Sequence, residues 1–261
     1  MNRIEKKFQQ LKKNKRKAFI AYITAGYPNI SVTERLIKEF DRLGVDILEL
    51  GVPFSDPMAD GPVIQDASKA ALDKGINLEK IFNLVKRSRA SCNIPICLMT
   101  YYNPVFCYGE AKFCQKSKSS GVDGVIIPDL PPEEAAGFRK SAAQNNLDTI
   151  FLLSPTSSPA RIKMISAASK GFIYYVSLTG VTGARKTLPP DICRQVKAIK
   201  RYTGKPVCVG FGVSQGLQVK EINRFADGVI VGSAIVKKIK ENINQPDLIR
   251  KVGSFVAGLK G

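Results

Sequence analysis

The stretch Leu48-Glu49-Leu50-Gly51-Val52-Pro53-Phe54-Ser55-Asp56-Pro57-Met58-Ala59-Asp60-Gly61 sets one carboxylate inside an apolar run and two more in the loop after it. Alternation with period two puts Glu49 on the face of Ile47, opposite Leu48 and Leu50. On an interior face that carboxylate is partly desolvated, its pKa rises, and it suits general acid/base work. Asp60 ends a loop stiffened by Pro53 and Pro57, which can fold it back over the same place. The bland alternatives are a buried ion pair for Glu49 and loop capping for Asp56 and Asp60. The chain has no His. That excludes Ser-His-Asp and Cys-His catalysis, a His base and His-ligated metals, and leaves a two-carboxylate mechanism.

Two further clusters point to a phosphorylated ligand. Gly210-Phe211-Gly212 follows one apolar run, and Gly232-Ser233 follows the next and opens a helical pattern. Glycine lets backbone N–H groups approach phosphate oxygens, and a helix N-terminus favours the anion; ordinary turn glycines are the alternative. Thr179-Gly180-Val181-Thr182-Gly183-Ala184-Arg185 begins a connection over 178–189 that suits a lid, with a trypsin site at Arg185-Lys186. A plain flexible loop is the alternative there.

Elements must position these residues. Short apolar runs lie at 18–24, 45–50, 95–100, 123–127, 148–153, 172–177, 206–210 and 227–231. Helical patterns fall near 31–43, 62–74, 78–91, 109–120, 132–145, 158–169, 190–202, 214–223 and 233–241. Eight strand signals, each followed by a helix signal, predict an α/β fold, a single-domain (β/α)8 TIM barrel over all 261 residues. An open doubly wound sheet is the alternative, although its Gly-x-Gly-x-x-Gly fingerprint is missing. Residues 1–17 read as an extra amphipathic helix capping the barrel, with Ile4, Phe8 and Leu11 on one face and eight basic residues against Glu5. Asp46, Asp123, Asp148 and Asp227 begin strands and read as solubility and turn residues.

The balance of 40 Lys and Arg against 22 Asp and Glu gives +18, which favours acidic or phosphorylated ligands. The six cysteines form no Cys-x-x-Cys pair, so they read as small core residues and no metal is expected. No secretory apolar region and no run of 18 apolar residues appears, so a cytoplasmic protein without membrane contact is expected.

The segment LELGVPFSDPMADGPVIQ resembles the signature of the tryptophan synthase alpha-subunit family. AFIAYITAGYP, TYYNPVF, IPDLPPEE, LTGVTG, GFGVS and VGSAIVK also fall where that family has them, so the resemblance runs to about residue 255. It implies a lyase that cleaves indole-3-glycerol phosphate to indole and glyceraldehyde 3-phosphate, with no cofactor in this chain. A beta subunit carrying pyridoxal phosphate would take the indole, in an α2β2 heterotetramer with allosteric coupling. The family's acid/base Glu falls on Glu49, its indole-anchoring Asp on Asp60, its strand tyrosine on Tyr174 and its lid threonine on Thr182. The resemblance sets the phosphate cradle on Gly183, Gly212, Gly232 and Ser233, and aromatic pocket walls on Tyr22, Tyr101 and Phe211. Partner contacts fall on Pro53, Asp56, Asn103 and Pro104. The chain departs from the family at Leu178, where some members have Arg, and at Phe172, where a Tyr occurs. The retro-aldol needs no Schiff-base Lys, and none ends a strand run. Two other readings stand beside this one: a catalytically weak allosteric activator of the beta subunit, and a basic nucleic-acid-binding barrel. The second lacks a recognised nucleic-acid module, and no nucleic-acid partner is expected.

Overall fold

The eight apolar runs form strands whose ends fall within two residues of the expected bounds. The computed structural model describes residues 1–176, 191–210 and 212–261. Its strands are β1 (Ala18–Thr24), β2 (Ile47–Gly51), β3 (Ile96–Met99), β4 (Gly124–Ile126), β5 (Asp148–Ile150), β6 (Leu152–Leu153), β7 (Ile173–Val176), β8 (Val207–Gly210) and β9 (Gly228–Val231). All pairings are parallel, in the order β5-β4-β3-β2-β1-β9-β8-β7-β6. The run 148–153 is thus two short strands about Phe151, the first paired with β4 and the second with β7. Through that segment the sheet returns on itself. The fold is the TIM barrel, and the open-sheet alternative is excluded by strand order.

Twelve helices surround the strands among the described residues. They are α1 (Arg3–Lys13), α2 (Ile30–Arg42), α3 (Pro62–Leu72), α4 (Leu78–Ser88), α5 (Tyr102–Tyr108) and α6 (Glu110–Ser120) in the first half. The second half has α7 (Ala136–Gln144), α8 (Pro159–Ala168), α9 (Ile192–Lys200), α10 (Gly216–Ile222), α11 (Ser233–Lys240) and α12 (Leu248–Lys260). Helices α5 and α12 are additions to the sequence-based expectation.

Helix α1 packs across the amino-terminal end of the strands. Asn2 caps it, accepting from the Ile4 and Glu5 N–H groups and donating to the Asp123 carbonyl at 2.9 Å. Ile4, Phe8 and Leu11 are buried, and the Phe8 ring lies 5.7 Å from Phe172. The residue that departs from the family thus serves this packing.

The strand-leading aspartates correct the sequence reading. Asp46, Asp123 and Asp148 are buried, and they belong to the fold's interior bonding rather than to a solvated end. Asp46 accepts the Phe19 N–H at 2.9 Å, Asp123 the Ile96 N–H at 2.9 Å, and Asp227 the Val207 N–H at 3.1 Å. Each carboxylate therefore ties the start of its own strand to a neighbouring strand. Arg3 and Arg89 also bind Asp123, at 3.0 and 2.9 Å. The cysteines divide: Cys92, Cys97, Cys114 and Cys208 are buried, whereas Cys107 is exposed and Cys193 half-buried, against the expectation of six core residues.

Asp148 breaks the pattern, because its Oδ2 is buried without a hydrogen-bond partner. Burial pushes its pKa up to about 7, with Asn2 acting in the opposite direction. The unfolded carboxyl titrates near ~4. Between these values the folded chain holds a proton that the unfolded chain has released, so this group's contribution to stability falls as pH rises through the window. Asp148→Asn should flatten that part of the stability profile and stabilise the chain at pH 8 by about 2 kcal/mol. Urea unfolding of both proteins at pH 5 and pH 8 checks it. Parallel profiles would show that Asp148 does not titrate in this window.

Candidate active site

A cavity opens at the carboxyl ends of the strands, where barrel enzymes carry their chemistry. Tyr22, Glu49, Asp60, Met99 and Tyr174 line it, with Gly212, Gly232 and Ser233 on one side. Strand register explains the convergence: Glu49 pairs with Tyr22 on β1 and with Cys97 on β3. Met99 at the end of β3, Ile230 on β9 and Ile64 in the first turn of α3 are lining residues that sequence reasoning missed, since an apolar side chain carries no chemical signal.

Glu49 is 1% exposed, and neither carboxyl oxygen has a hydrogen-bond partner. Among the described residues no Lys or Arg lines the cavity. Burial alone pushes the Glu49 pKa up to about 8, so the group is mostly protonated at neutral pH. The ion-pair alternative for this residue falls.

Asp60 differs in one bond. The Tyr101 hydroxyl donates to Asp60 Oδ2 at 3.0 Å. Burial raises the Asp60 pKa, this bond acts against the rise, and the result is about 6. Tyr101 also accepts the Ala59 N–H at 2.9 Å, and its ring stacks on Phe54 at 5.2 Å. Gln65 donates to the Asp60 carbonyl at 2.9 Å. Tyr101 therefore holds the β2–α3 loop and its carboxylate, a positioning job beyond the pocket wall that the resemblance implied.

Two glycines make room for the tyrosines. A Cβ at Gly51 would stand 2.2 Å from the Tyr22 hydroxyl oxygen, and one at Gly210 would stand 2.5 Å from the Tyr174 ring. Gly210 thus seats Tyr174, a different job from the phosphate contact its sequence context suggested. Gly212 has φ of +80°, a left-handed conformation that favours glycine. Gly232 precedes α11, whose first residue Ser233 is buried, so that helix starts at the cavity wall. Thr182, Gly183, Phe211 and Leu178, and with them the expected lid at 178–189, lie outside the described residues.

The sequence profile of the family described as tryptophan synthase alpha chain matches residues 8–257. The tryptophan synthase alpha chain of Geotalea uraniireducens is 50% identical over 260 residues, which cover 100% of this chain and 97% of the relative. The chain belongs to the tryptophan synthase alpha chain family. That membership makes it a lyase of tryptophan biosynthesis. Among solved structures, tryptophan synthase subunit alpha from Legionella pneumophila superposes with a TM-score of 0.93 at 38% identity, over 100% of this chain and 97% of that one. A tryptophan synthase complex from Pyrococcus furiosus gives 0.86 at 37% identity, over 93% and 97%.

The residues that the family resemblance marked for partner contact lie at the same end of the barrel. Asp56 and Asn103 are exposed, Pro104 is half-buried, and Pro53 is buried beneath the β2–α3 loop. Met58 and Phe106 stand beside them, 77% and 65% exposed, large apolar side chains that the sequence reading passed over. Among the described residues no three His, Cys, Asp or Glu converge on a metal position, and no helix is long and apolar enough to cross a membrane.

The seating of Tyr174 can be measured directly. Gly210→Ala should destabilise the chain by about 1–3 kcal/mol, as overpacking does. In a Tyr174→Ala background the same change should cost much less, leaving a coupling of at least ~1 kcal/mol. Denaturant titration of the four proteins of this cycle gives the value, and additive losses would mean that the two positions do not press on each other.

Proposed function

We propose that this chain cleaves indole-3-glycerol phosphate to indole and glyceraldehyde 3-phosphate. The observation that carries the reading is a pair of buried carboxyls in one cavity whose pKa values are pushed apart, to about 8 for Glu49 and about 6 for Asp60. Near pH 7 the first is mainly neutral and the second mainly ionised, an acid and an anion in the same pocket.

The reaction uses both states. Glu49 donates its proton to indole C3, which leaves a positive charge delocalised onto the ring nitrogen. Asp60 accepts a hydrogen bond from N1–H and stabilises that charge. The C–C bond to the glycerol then breaks, its electron pair returning to the ring. The hydroxyl on the leaving carbon gives its proton to the Glu49 carboxylate and becomes the aldehyde. Protons balance, and Glu49 ends as it began. Tyr174 supplies a hydroxyl beside the reacting carbon, and Tyr22 walls the indole together with Phe211. Gly212, Gly232, Ser233 and the α11 N-terminus receive the phosphate, with Gly183 and Thr182 completing the enclosure.

The same proposal covers the partner. The exposed Met58, Phe106, Asn103 and Asp56 would meet a beta subunit that carries the pyridoxal phosphate and receives the indole. This chain would act as one barrel domain with no cofactor of its own. Intact Glu49 and Asp60 in a buried pocket favour a working lyase over a purely allosteric subunit.

Glu49→Gln keeps the shape and removes the transferable proton, so turnover should fall by at least ~10²–10⁴ while substrate still binds. Retention of more than a tenth of wild-type turnover would remove Glu49 from this role. The pH profile tests both groups together. Activity requires ionised Asp60, lost as pH falls through about 6, and protonated Glu49, lost as pH rises through about 8. A bell with its maximum near 7 is expected. Tyr101→Phe removes the bond that lowers the Asp60 pKa, so the acid limb should move up by roughly one unit while the alkaline limb stays. An unmoved acid limb would mean that Asp60 is not the group titrating there.

A further inference from the structure

At the opposite end of the barrel from Glu49, a second cavity of about 530 Å³ lies between the end of α1 and the segment joining α9 to β8. Phe8, Leu11 and Pro206 form its apolar floor. Its rim carries six cations, Lys12, Lys15, Arg16, Lys17, Lys200 and Lys205, against one carboxylate, Asp227. Lys17 and Lys200 share a single oxygen of that carboxylate, at 3.4 and 2.8 Å. Arg16 reaches Asp46 only at 4.0 Å. Among the described residues no carboxylate pairs with Lys12, Lys15 or Lys205. The two carboxylates within reach thus offset only part of the rim's charge, and a net positive excess faces one concave surface.

The backbone adds an independent observation. The turn after α1 closes with the Lys15 N–H on the Lys12 carbonyl at 3.1 Å and the Arg16 N–H on the Leu11 carbonyl at 2.9 Å. That pattern wants glycine, or failing it asparagine, in the left-handed position. Here the position holds Lys15, with φ of +53°. Lys15 thus costs backbone strain where glycine would not, and it adds a cation to an already cationic rim. Lys205 points the same way: burial and the nearby cations Arg139 and Lys170 hold its pKa below the usual lysine value, so an anion would relieve it.

We propose that this pocket binds an oligophosphate, a short chain of linked phosphates carrying several negative charges. The cations come from two separate segments, the end of α1 and the stretch from α9 to β8, so a ligand with several linked charges suits them better than a single phosphate. Among the described residues no exposed aromatic ring lines the rim to stack bases, which sets a phosphate chain ahead of single-stranded nucleic acid. The chain could be free inorganic oligophosphate or the tail of a nucleoside triphosphate. Because the site joins α1 to the segment entering β8, its occupant would hold the amino-terminal helix to the barrel.

Titration calorimetry of the full chain at 0.1 M salt, with inorganic tripolyphosphate, ATP and monophosphate, tests the assignment. Tripolyphosphate should bind saturably at one site and at least tenfold more tightly than monophosphate. Equal binding of tripolyphosphate and ATP identifies the phosphate chain as the whole ligand; tighter ATP binding adds the nucleoside, resting on the apolar floor. Lys12→Gln/Lys15→Gly should weaken binding at least tenfold, while Lys69→Gln/Lys86→Gln, an equal loss of charge on exposed faces of α3 and α4, should change it less than twofold. Lys15→Gly alone should raise the thermal midpoint without ligand and reduce the shift that ligand produces, which also shows that the variant folds. No saturable binding of either triphosphate, equal losses in the two double variants, or a lowered midpoint for Lys15→Gly would overturn the proposal.

Discussion

A carboxyl group buried without a partner is the constraint on which the working end of this barrel depends. Leaving Glu49 ionised there would cost several kcal/mol, so the group keeps its proton instead. An opposite charge within ~4–6 Å would draw its pKa down by about 1–3 units and abolish the acid. The chain holds 40 Lys and Arg, yet among the described residues none lines this cavity. The walls are instead two tyrosines, two isoleucines and a methionine, apolar bodies of which the tyrosines carry hydroxyls. Gly51 and Gly210 are required because those tyrosine rings lie flat against the neighbouring strand ends. The positions of five or six residues around Glu49 follow from keeping one proton in place.

The two ends of the barrel show the same residue class in opposite states for a local reason. Asp123 is as buried as Glu49, but two arginines and a backbone N–H surround it. Its job is to join strands. Glu49 has no such bonds and becomes chemically responsive. Asp60 lies between these extremes, with one hydroxyl donor that acts against the rise burial causes, and its pKa is about 6. Counting donors around each carboxyl therefore sorts structural from reactive groups better than burial does. Asp148 shows why the count matters: it begins a strand like Asp123, yet an unsatisfied oxygen leaves it titrating near neutrality.

Much of this was legible in the sequence because parallel strands buried on both faces leave short apolar runs that helices cannot imitate in length. The run 148–153 was legible as one strand but not as two, since the break at Phe151 arises from changing partners and not from any breaker residue. Helix α5 has Pro104 in its first turn and only seven residues, three of them aromatic, which reads as a loop. Helix α12 did carry a signal, with Leu248, Val252, Val256 and Leu259 at helical spacing, but Gly253 and Gly258 obscured it. Gly253 is there because α2 comes close: a Cβ would meet the Glu39 carboxylate at 2.5 Å. Glu49 and Asp60 were legible because charge inside an apolar run, and rigid proline spacing after it, have few structural uses. The role of Tyr101 was not, because a hydrogen bond across forty-one positions to Asp60 has no local pattern.

The charge of the chain and the neutrality of its acid are compatible only because they act over different distances. At physiological ionic strength the field of exposed cations decays over about 8 Å, so the +18 surface can draw a phosphorylated ligand toward the barrel without acting on a group deep inside it. What must be solved locally is the phosphate itself. A lysine placed to hold it would bring a cation toward Glu49 and lower the pKa that the proposed first step needs. In the proposed phosphate cradle, backbone N–H groups at Gly212, Gly232 and the start of α11 would avoid the conflict, because they offer hydrogen bonds and a partial positive charge that fades within one helical turn. On the proposed function, the glycine-built cradle and the lack of Lys or Arg among the described pocket residues would be one solution: the anion would be bound by dipoles so that the acid could stay protonated.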